Sequence, residues 1–282
     1  MKPKVIAVVG PTASGKTALA IKLAKQMNGE VVSADSRLVY KGFDIASAKP
    51  DMEEREGVPH HLIDIVEPEF DYSAGNYHDD AKKAIYDILS RGKTPIVAGG
   101  TGLYFRILLE NYNLPRVEAN PKLREELDLR EKEDLLEELK KLDILTFERV
   151  KDANKRRIVR ALEVIKVLNR PLSDIELKKE PEFEAEWLMP ELSSREELYN
   201  RINRRVDIMV EKGLIYETKY LLKKHGRIKN FVCTIGYQEI LAYLDGECTL
   251  EEALDKLKQH SRNYAKRQLT WFRKNPALEV RI

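Results

Sequence analysis

The chain has 282 residues, 43% of them hydrophobic and 34% charged. At roughly 100–200 residues per domain it makes one large domain or two smaller ones, and its apolar share excludes a wholly disordered chain. Lys and Arg number 49 against 47 Asp and Glu, a net charge of +2, so overall charge points to no polyanionic partner. The charged share exceeds the usual quarter or so, in the direction of a thermophile surface. No apolar run reaches about 18 residues, which excludes a membrane-spanning helix. The apolar stretch Val5–Val9 is too short for a signal peptide and runs into Gly10-Pro11-Thr12 instead of a cleavage site, so a cytoplasmic protein is expected. Two cysteines, Cys233 and Cys248, with no CxxC pair, exclude a disulfide framework and a zinc site of that type.

Taken in chain order, Lys4–Val9 reads as a strand buried on both faces. Gly15–Met27 has helical spacing through Leu19, Ala20, Leu23 and Met27. Glu30–Ser33 and His61–Val66 are further strands, Ala81–Leu89 is a helix stopped by Arg91-Gly92-Lys93, and Thr94–Ala98 is the next strand. Strands alternating with helices imply a parallel sheet with crossover helices. The pattern changes near Leu114-Pro115 and is helical from Asn120 to about Val167, with a linker from Pro171 to Pro181. Glu186–Met189 reads as a strand returning to the sheet, and helices follow from Ser194 to about Lys274. The expected organisation is an α/β core, residues 1–114 and 184–282, interrupted by an all-helical insertion at 115–183, with a helical C-terminal part.

Gly10-Pro11-Thr12-Ala13-Ser14-Gly15-Lys16-Thr17 matches G-x-x-x-x-G-K-[ST] between a predicted strand and a predicted helix. Glycines let successive N–H groups turn inward, the helix N-terminus adds partial positive charge, Lys16 adds a mobile full charge, and the Thr17 hydroxyl is placed for Mg²⁺. This is a P-loop NTPase-like core whose loop specifies phosphate or diphosphate, without specifying ATP. The later strand Pro95–Ala98 ends in Gly99-Gly100-Thr101-Gly102 with no metal-binding carboxylate, which argues against a motor or GTPase. A second glycine-rich loop implies close approach by another backbone or by a bulky substrate.

Asp35 follows the second strand and is expected beside the phosphate loop, since ligands bind beyond the carboxyl ends of parallel strands. An Asp there can hold Mg²⁺ through water, accept a proton from an attacking group, or cap a turn. Three basic clusters stand out: Lys155-Arg156-Arg157 with Arg160; Arg201, Arg204 and Arg205; and Lys256 to Lys274, where His260, Tyr264, Trp271 and Phe272 interleave. Cations with interleaved aromatics suit RNA phosphates and unpaired bases, although each cluster alone also suits a solvated helix face.

The phosphate loop, Ser33-Ala34-Asp35-Ser36-Arg37-Leu38-Val39-Tyr40, Gly57–Asp64, Gly99–Tyr104, Arg201–Asp207, Ile235-Gly236-Tyr237 and Tyr264–Phe272 together resemble the tRNA dimethylallyltransferase (tRNA isopentenyltransferase) family, over nearly the whole chain. The resemblance implies transfer of a dimethylallyl group from dimethylallyl diphosphate to N6 of adenosine-37, just 3′ of the tRNA anticodon, with release of diphosphate and help from Mg²⁺. It implies Asp35 as base or hydrogen-bond acceptor, and Thr17 with Mg²⁺ and Lys16 at the departing diphosphate. Gly10, Pro11, Thr12, Ala13, Ser14, Gly15, Lys16 and Thr17 would cradle that diphosphate. Asp35, Ser36, Arg37, Leu38, Thr101, Arg124, Lys155, Arg156, Arg157 and Arg160 would meet the tRNA anticodon stem-loop. Many relatives carry Gln where this chain has Leu38, so a side-chain amide contact to a base is lost there while a backbone contact stays open. A C-terminal zinc finger, found in eukaryotic relatives, is also absent, which implies the bacterial form. A monomer with no membrane association is expected.

Overall fold

The computed structural model describes residues 2–113, 115, 117–175 and 179–278. The Leu114 boundary and part of the Pro171–Pro181 linker lie outside these residues. The chain forms two compact units, Met1–Leu109 with Pro181–Ile282, and Glu110–Glu180.

The first unit begins β1 (Lys4–Val9), α1 (Lys16–Gln26), β2 (Gly29–Ala34), β3 (His60–His61), α2 (Ala74–Ser90), β4 (Thr94–Gly99) and α3 (Gly102–Leu109). Its strands form one parallel sheet, order β3-β2-β4-β1 with β5 (Glu184–Leu188) on the far side of β1. β1 from Val5 onward and all of β2 are buried, the signature of a sheet covered on both faces. α1 packs on one of those faces, with Ala20, Ile21 and Ala24 against Ile6, Val8 and Val31. The return of Glu184–Leu188 to the sheet matches the sequence reading: Lys4 pairs with Glu184 and Val8 with Leu188.

One expected strand is cut short. Instead of His61–Val66, only His60 and His61 pair with β2. Leu62 and Asp64 adopt left-handed φ of 63° and 56°, which no strand accommodates, and pairing resumes only as an isolated bridge between Tyr40 and Val66. The helix expected at Ala81–Leu89 starts earlier, because Ser73 and Asn76 form a capping box ahead of it. Glu30 is a charged residue buried on β2. Its carboxylate meets Arg91 at 2.5 and 2.8 Å, Lys93 at 2.7 Å and His61 at 2.7 Å, so the buried charge is fully paired.

The second unit is helical: α4 (Pro121–Asp128), α5 (Lys132–Leu142), α6 (Ile144–Val150) and α7 (Lys155–Leu168). Leu127, Leu135, Leu139, Ile158, Leu162 and Ile165 form its core. Asn120, Asp143 and Asn154 cap α4, α6 and α7, and Asn169 closes α7 in the left-handed conformation. The first unit then continues through α8 (Arg195–Glu211), α9 (Leu214–His225), α10 (Lys229–Val232), α11 (Tyr237–Leu244) and α12 (Leu250–Phe272). Among the described residues, no helix is long and apolar enough to cross a membrane.

Candidate active site

The loop between β1 and α1 has the conformation its motif requires. Ala13 and Gly15 take φ of 62° and 86°, and Gly15 caps α1 without any side-chain hydrogen bond. The first N–H groups of the helix therefore stay available to an anion. Lys16 Nζ donates to the Pro11 carbonyl at 3.3 Å, folding the side chain back over the loop. Desolvation, and then the nearby Arg205, bring the Lys16 ammonium down to about 8, against an opposing pull from Asp35.

Asp35 lies just past the end of β2 and lines the same cavity as Lys16 and Thr17. Its Oδ1 accepts from the Arg37 N–H at 2.8 Å, so the carboxylate does cap a turn and is thereby oriented. The Ser36 N–H donates to the Thr101 hydroxyl at 3.1 Å, and the Thr101 N–H to the Ala34 carbonyl at 3.1 Å. Thr101 thus ties the end of β2 to the loop after β4, and its side chain also hydrogen-bonds Tyr264. Burial and the Asp35 charge push the Tyr264 phenol up to about 12, so it stays protonated. Leu38 lines the cavity while its carbonyl accepts from the Asp64 N–H at 3.0 Å.

The second glycine loop is explained by protein, not by a bulky substrate. A Cβ on Gly99 would lie 2.1 Å from the Ala34 carbonyl oxygen, one on Gly100 2.1 Å from Gln268 Nε2, and one on Gly102 2.2 Å from the Trp271 ring. These glycines let β2 and α12 close in on β4.

Two residues beyond those assigned from sequence complete the site. Arg205 of α8 donates to Thr12 Oγ1 at 3.1 Å, and desolvation lowers its guanidinium below the usual range. Gln268 of α12 accepts from the Thr12 N–H at 2.9 Å and donates to the Gly100 carbonyl at 3.0 Å. Both sat within sequence blocks already singled out, Arg201–Asp207 and Tyr264–Phe272, but spacing alone did not separate them from their neighbours. Together these elements enclose a cavity of about 620 Å³. Its phosphate-loop end is polar, with Lys16, Thr17 and Arg205, while Ile202, Val206 and Leu257 supply apolar wall.

The cations of the second unit divide. Arg124 Nε and Arg160 Nη1 reach the buried Glu163 carboxylate at 2.9 and 2.5 Å, and Lys155 Nζ donates to the Asp128 carbonyl at 2.6 Å. Arg156 and Arg157 are exposed and have no such partner among the described residues. In the first unit, Arg201 pairs with Glu197, Lys258 with Asp207 at 2.7 Å, and Arg262 donates to Asn203 at 2.6 Å. Arg124, Arg160, Arg201 and Lys258 are therefore paired with local carboxylates, while Lys155 and Arg262 are held by neutral acceptors.

A parallel sheet with a phosphate loop and a second glycine loop at its carboxyl edge defines an α/β protein of the phosphate-loop class. The sequence profile of the IPP transferase family matches residues 38–275. The tRNA dimethylallyltransferase of Thermomicrobium roseum is 45% identical over 283 residues, spanning 98% of this chain and 85% of that relative. That of Anoxybacillus flavithermus is 44% identical, spanning 97% and 88%. The full-length tRNA isopentenylpyrophosphate transferase of Bacillus halodurans superposes with a TM-score of 0.72 at 44% identity, over 98% of this chain and 88% of that one. A eukaryotic dimethylallyltransferase solved acting on tRNA gives a TM-score of 0.79 at 30% identity, over 96% and 70%. This chain belongs to the IPP transferase family.

Proposed function

We infer that the chain is a tRNA dimethylallyltransferase, moving the dimethylallyl group of dimethylallyl diphosphate onto N6 of the adenosine just 3′ of the anticodon. The observation that carries the reading is that two desolvated cations, Lys16 and Arg205, and one oriented carboxylate, Asp35, line a single cavity that also has apolar wall. Such an end attracts a multiply charged anion, and the carboxylate beside it suits an amine. Relatives at 44–45% identity over nearly the full chain support the same transfer.

The allylic carbon carries positive charge as its bond to the diphosphate oxygen breaks. The loop N–H groups, Lys16 and Arg205 stabilise the leaving group, and N6 forms the new C–N bond. With Asp35 Oδ1 held by the Arg37 N–H, Oδ2 faces the amine and takes its proton. Because N6 is a weak nucleophile, catalysis rests on position and on leaving-group charge. The base must leave its stack to reach this carboxylate.

Mg²⁺ fits the residues present. Such an ion keeps several waters and is held largely by phosphate oxygens, so it needs few protein ligands. Thr17, with Asp35 through water, would hold it, and the buried Ser14 and Ser33 hydroxyls beside the loop and Asp35 lack a protein partner. When bound, the ion supplies charge compensation to the diphosphate.

In this reading the chain acts as a monomer on tRNA in the cytoplasm, and the described cavity is lined by residues of the first unit. The Glu110–Glu180 unit is the tRNA stem-loop contact in this reading, with Arg156 and Arg157 as its available cations and Arg124 and Arg160 organised around Glu163. The test supplies protein, Mg²⁺ and unmodified tRNA with either dimethylallyl diphosphate or ATP, followed by mass spectrometry of the digested RNA. A prenyl increment on one adenosine without ATP is expected. Phosphate transfer from ATP, or no change with RNA still bound, would overturn the reading. In Asp35→Ala, turnover should fall far more than RNA affinity.

A further inference from the structure

Gln268 is 5% exposed, and both faces of its amide are committed. Its oxygen takes the Thr12 N–H at 2.9 Å and its nitrogen gives to the Gly100 carbonyl at 3.0 Å. A backbone donor on one side and a backbone acceptor on the other fix the amide orientation unambiguously. The side chain thus bridges the phosphate loop and the glycine loop after β4.

The same helix reaches the other end of the site. One turn earlier on α12, Tyr264 hydrogen-bonds Thr101, whose hydroxyl also accepts from the Ser36 N–H beside Asp35. Arg267 lies over the Tyr264 ring at 5.7 Å from its centroid and lines the cavity. The loop is gripped from this side at two more points. Arg205 holds the Thr12 hydroxyl, and Ala13 packs on the cluster formed by Leu198 and Ile202 of α8 with Ala265 and Leu269 of α12. Few phosphate-loop contacts in the chain run over so long a sequence distance: Gln268 stands 256 residues from Thr12.

We propose that Gln268 is a positioning residue that joins the diphosphate end of the cavity to the acceptor end, so that filling one end strengthens binding at the other. The proposal rests on the functional reading above, which assigns those two ends. Tyr264 and Gln268 stand one turn apart on the same helix, so a ligand that fixes this turn from the acceptor end also fixes the loop, and the ordering cost is met once for both ligands. By linkage the gain is mutual.

The experiment titrates inorganic diphosphate into the full chain by calorimetry, with and without a saturating anticodon stem-loop RNA bearing the target adenosine. The wild-type chain should bind diphosphate about fivefold tighter or more with RNA present. In Gln268→Met, which keeps the length and removes both hydrogen bonds, that ratio should fall to about one while affinity for the RNA alone stays within about twofold. Gly100→Ala reaches the same link from the opposite side, since its Cβ would stand 2.1 Å from Gln268 Nε2, and it serves should Gln268→Met fail to fold. A wild-type ratio of one, or a wild-type ratio retained in either folded variant, overturns the proposal. A parallel prenylation assay on the wild-type chain separates the two failures. Product formed with an unaltered ratio defeats only the role of Gln268, and absence of product defeats the reaction itself.

Discussion

The close approach at Gly99 offers a demanding test of the geometry around Asp35. Gly99 of β4 pairs with Ala34 of β2, immediately before Asp35. In Gly99→Ala the new Cβ would sit 2.1 Å from the Ala34 carbonyl oxygen and 2.4 Å from its carbon, where ordinary contact begins at 3.4 Å. The deficit exceeds 1 Å, and the obstacle is backbone, so no rotamer change relieves it. The strand ends must part by about 1 Å, overpacking that costs about 1–3 kcal/mol. One or two ladder hydrogen bonds weaken with it, at about 0.5–1.5 kcal/mol each. The sum is about 3 kcal/mol, a fall in melting temperature of about 6–12 °C. The same shift moves Asp35 relative to the phosphate loop, and a 1 Å misplacement costs about 100-fold in rate. Circular dichroism melting and single-turnover prenylation measure the two effects. Gly75→Ala is the control: it sits in the first turn of α2 with only Ser73 Oγ near, at 3.5 Å, and should gain up to about 1 kcal/mol. A Gly99→Ala chain that melts within about 2 °C of wild type and turns over within about twofold would refute the reasoning.

Diphosphate affinity should hold below pH 8 and weaken above it, by up to about tenfold per pH unit, because the free Lys16 ammonium titrates at about 8 and the anion binds its charged form. Calorimetric titration across pH 7–10 reads this, and Lys16→Met should lose the inflection. Burial pushes the Glu163 carboxyl up, but hydrogen bonds from Arg124, Asn120 and Arg160 outweigh it and hold it below the usual carboxylate range. A carboxylate lowered on folding stabilises above its unfolded value and loses that stability as pH falls. Glu163→Gln should therefore cost about 2–4 kcal/mol at neutral pH, with the gap in melting temperature narrowing below about pH 4.5. Arg156→Ala with Arg157→Ala should weaken stem-loop binding and flatten its salt dependence by about 1–2 in log–log slope, read by filter binding between low and moderate salt. An unchanged slope removes this pair from the RNA contact surface.

Local chemistry made much of the molecule legible. β1 and β2 announce themselves as apolar runs because both of their faces are covered, and the phosphate loop has its chemistry written in consecutive residues. β5 was readable from four residues because a short apolar segment between helical stretches has few other uses. What escaped the sequence was what distant segments impose. The run from Leu62 to Val66 looks like a strand, yet left-handed backbone at Leu62 and Asp64 ends it. Glu163 reads as one charge among many on a basic helix, whereas it is the buried centre that Arg124 and Arg160 serve. Arg205 and Gln268 join the site only because α8 and α12 are folded against the phosphate loop. No periodicity distinguishes a glutamine that faces a backbone 256 residues away from one that faces water.

That long reach has a consequence for how the molecule comes into being. β1 is made well before β5, and its outer edge stays open until Glu184–Leu188 arrives beside it, after the Glu110–Glu180 unit has been synthesised. At about 5–20 residues per second, the ribosome leaves that edge bare on the order of ten seconds or more. The phosphate loop waits longer still, since the helix that grips it ends at Phe272. A growing chain thus carries the phosphate-loop sequence well before it has the cavity around it. Ligand affinity should therefore switch on abruptly once α12 has been made and has folded against the loop.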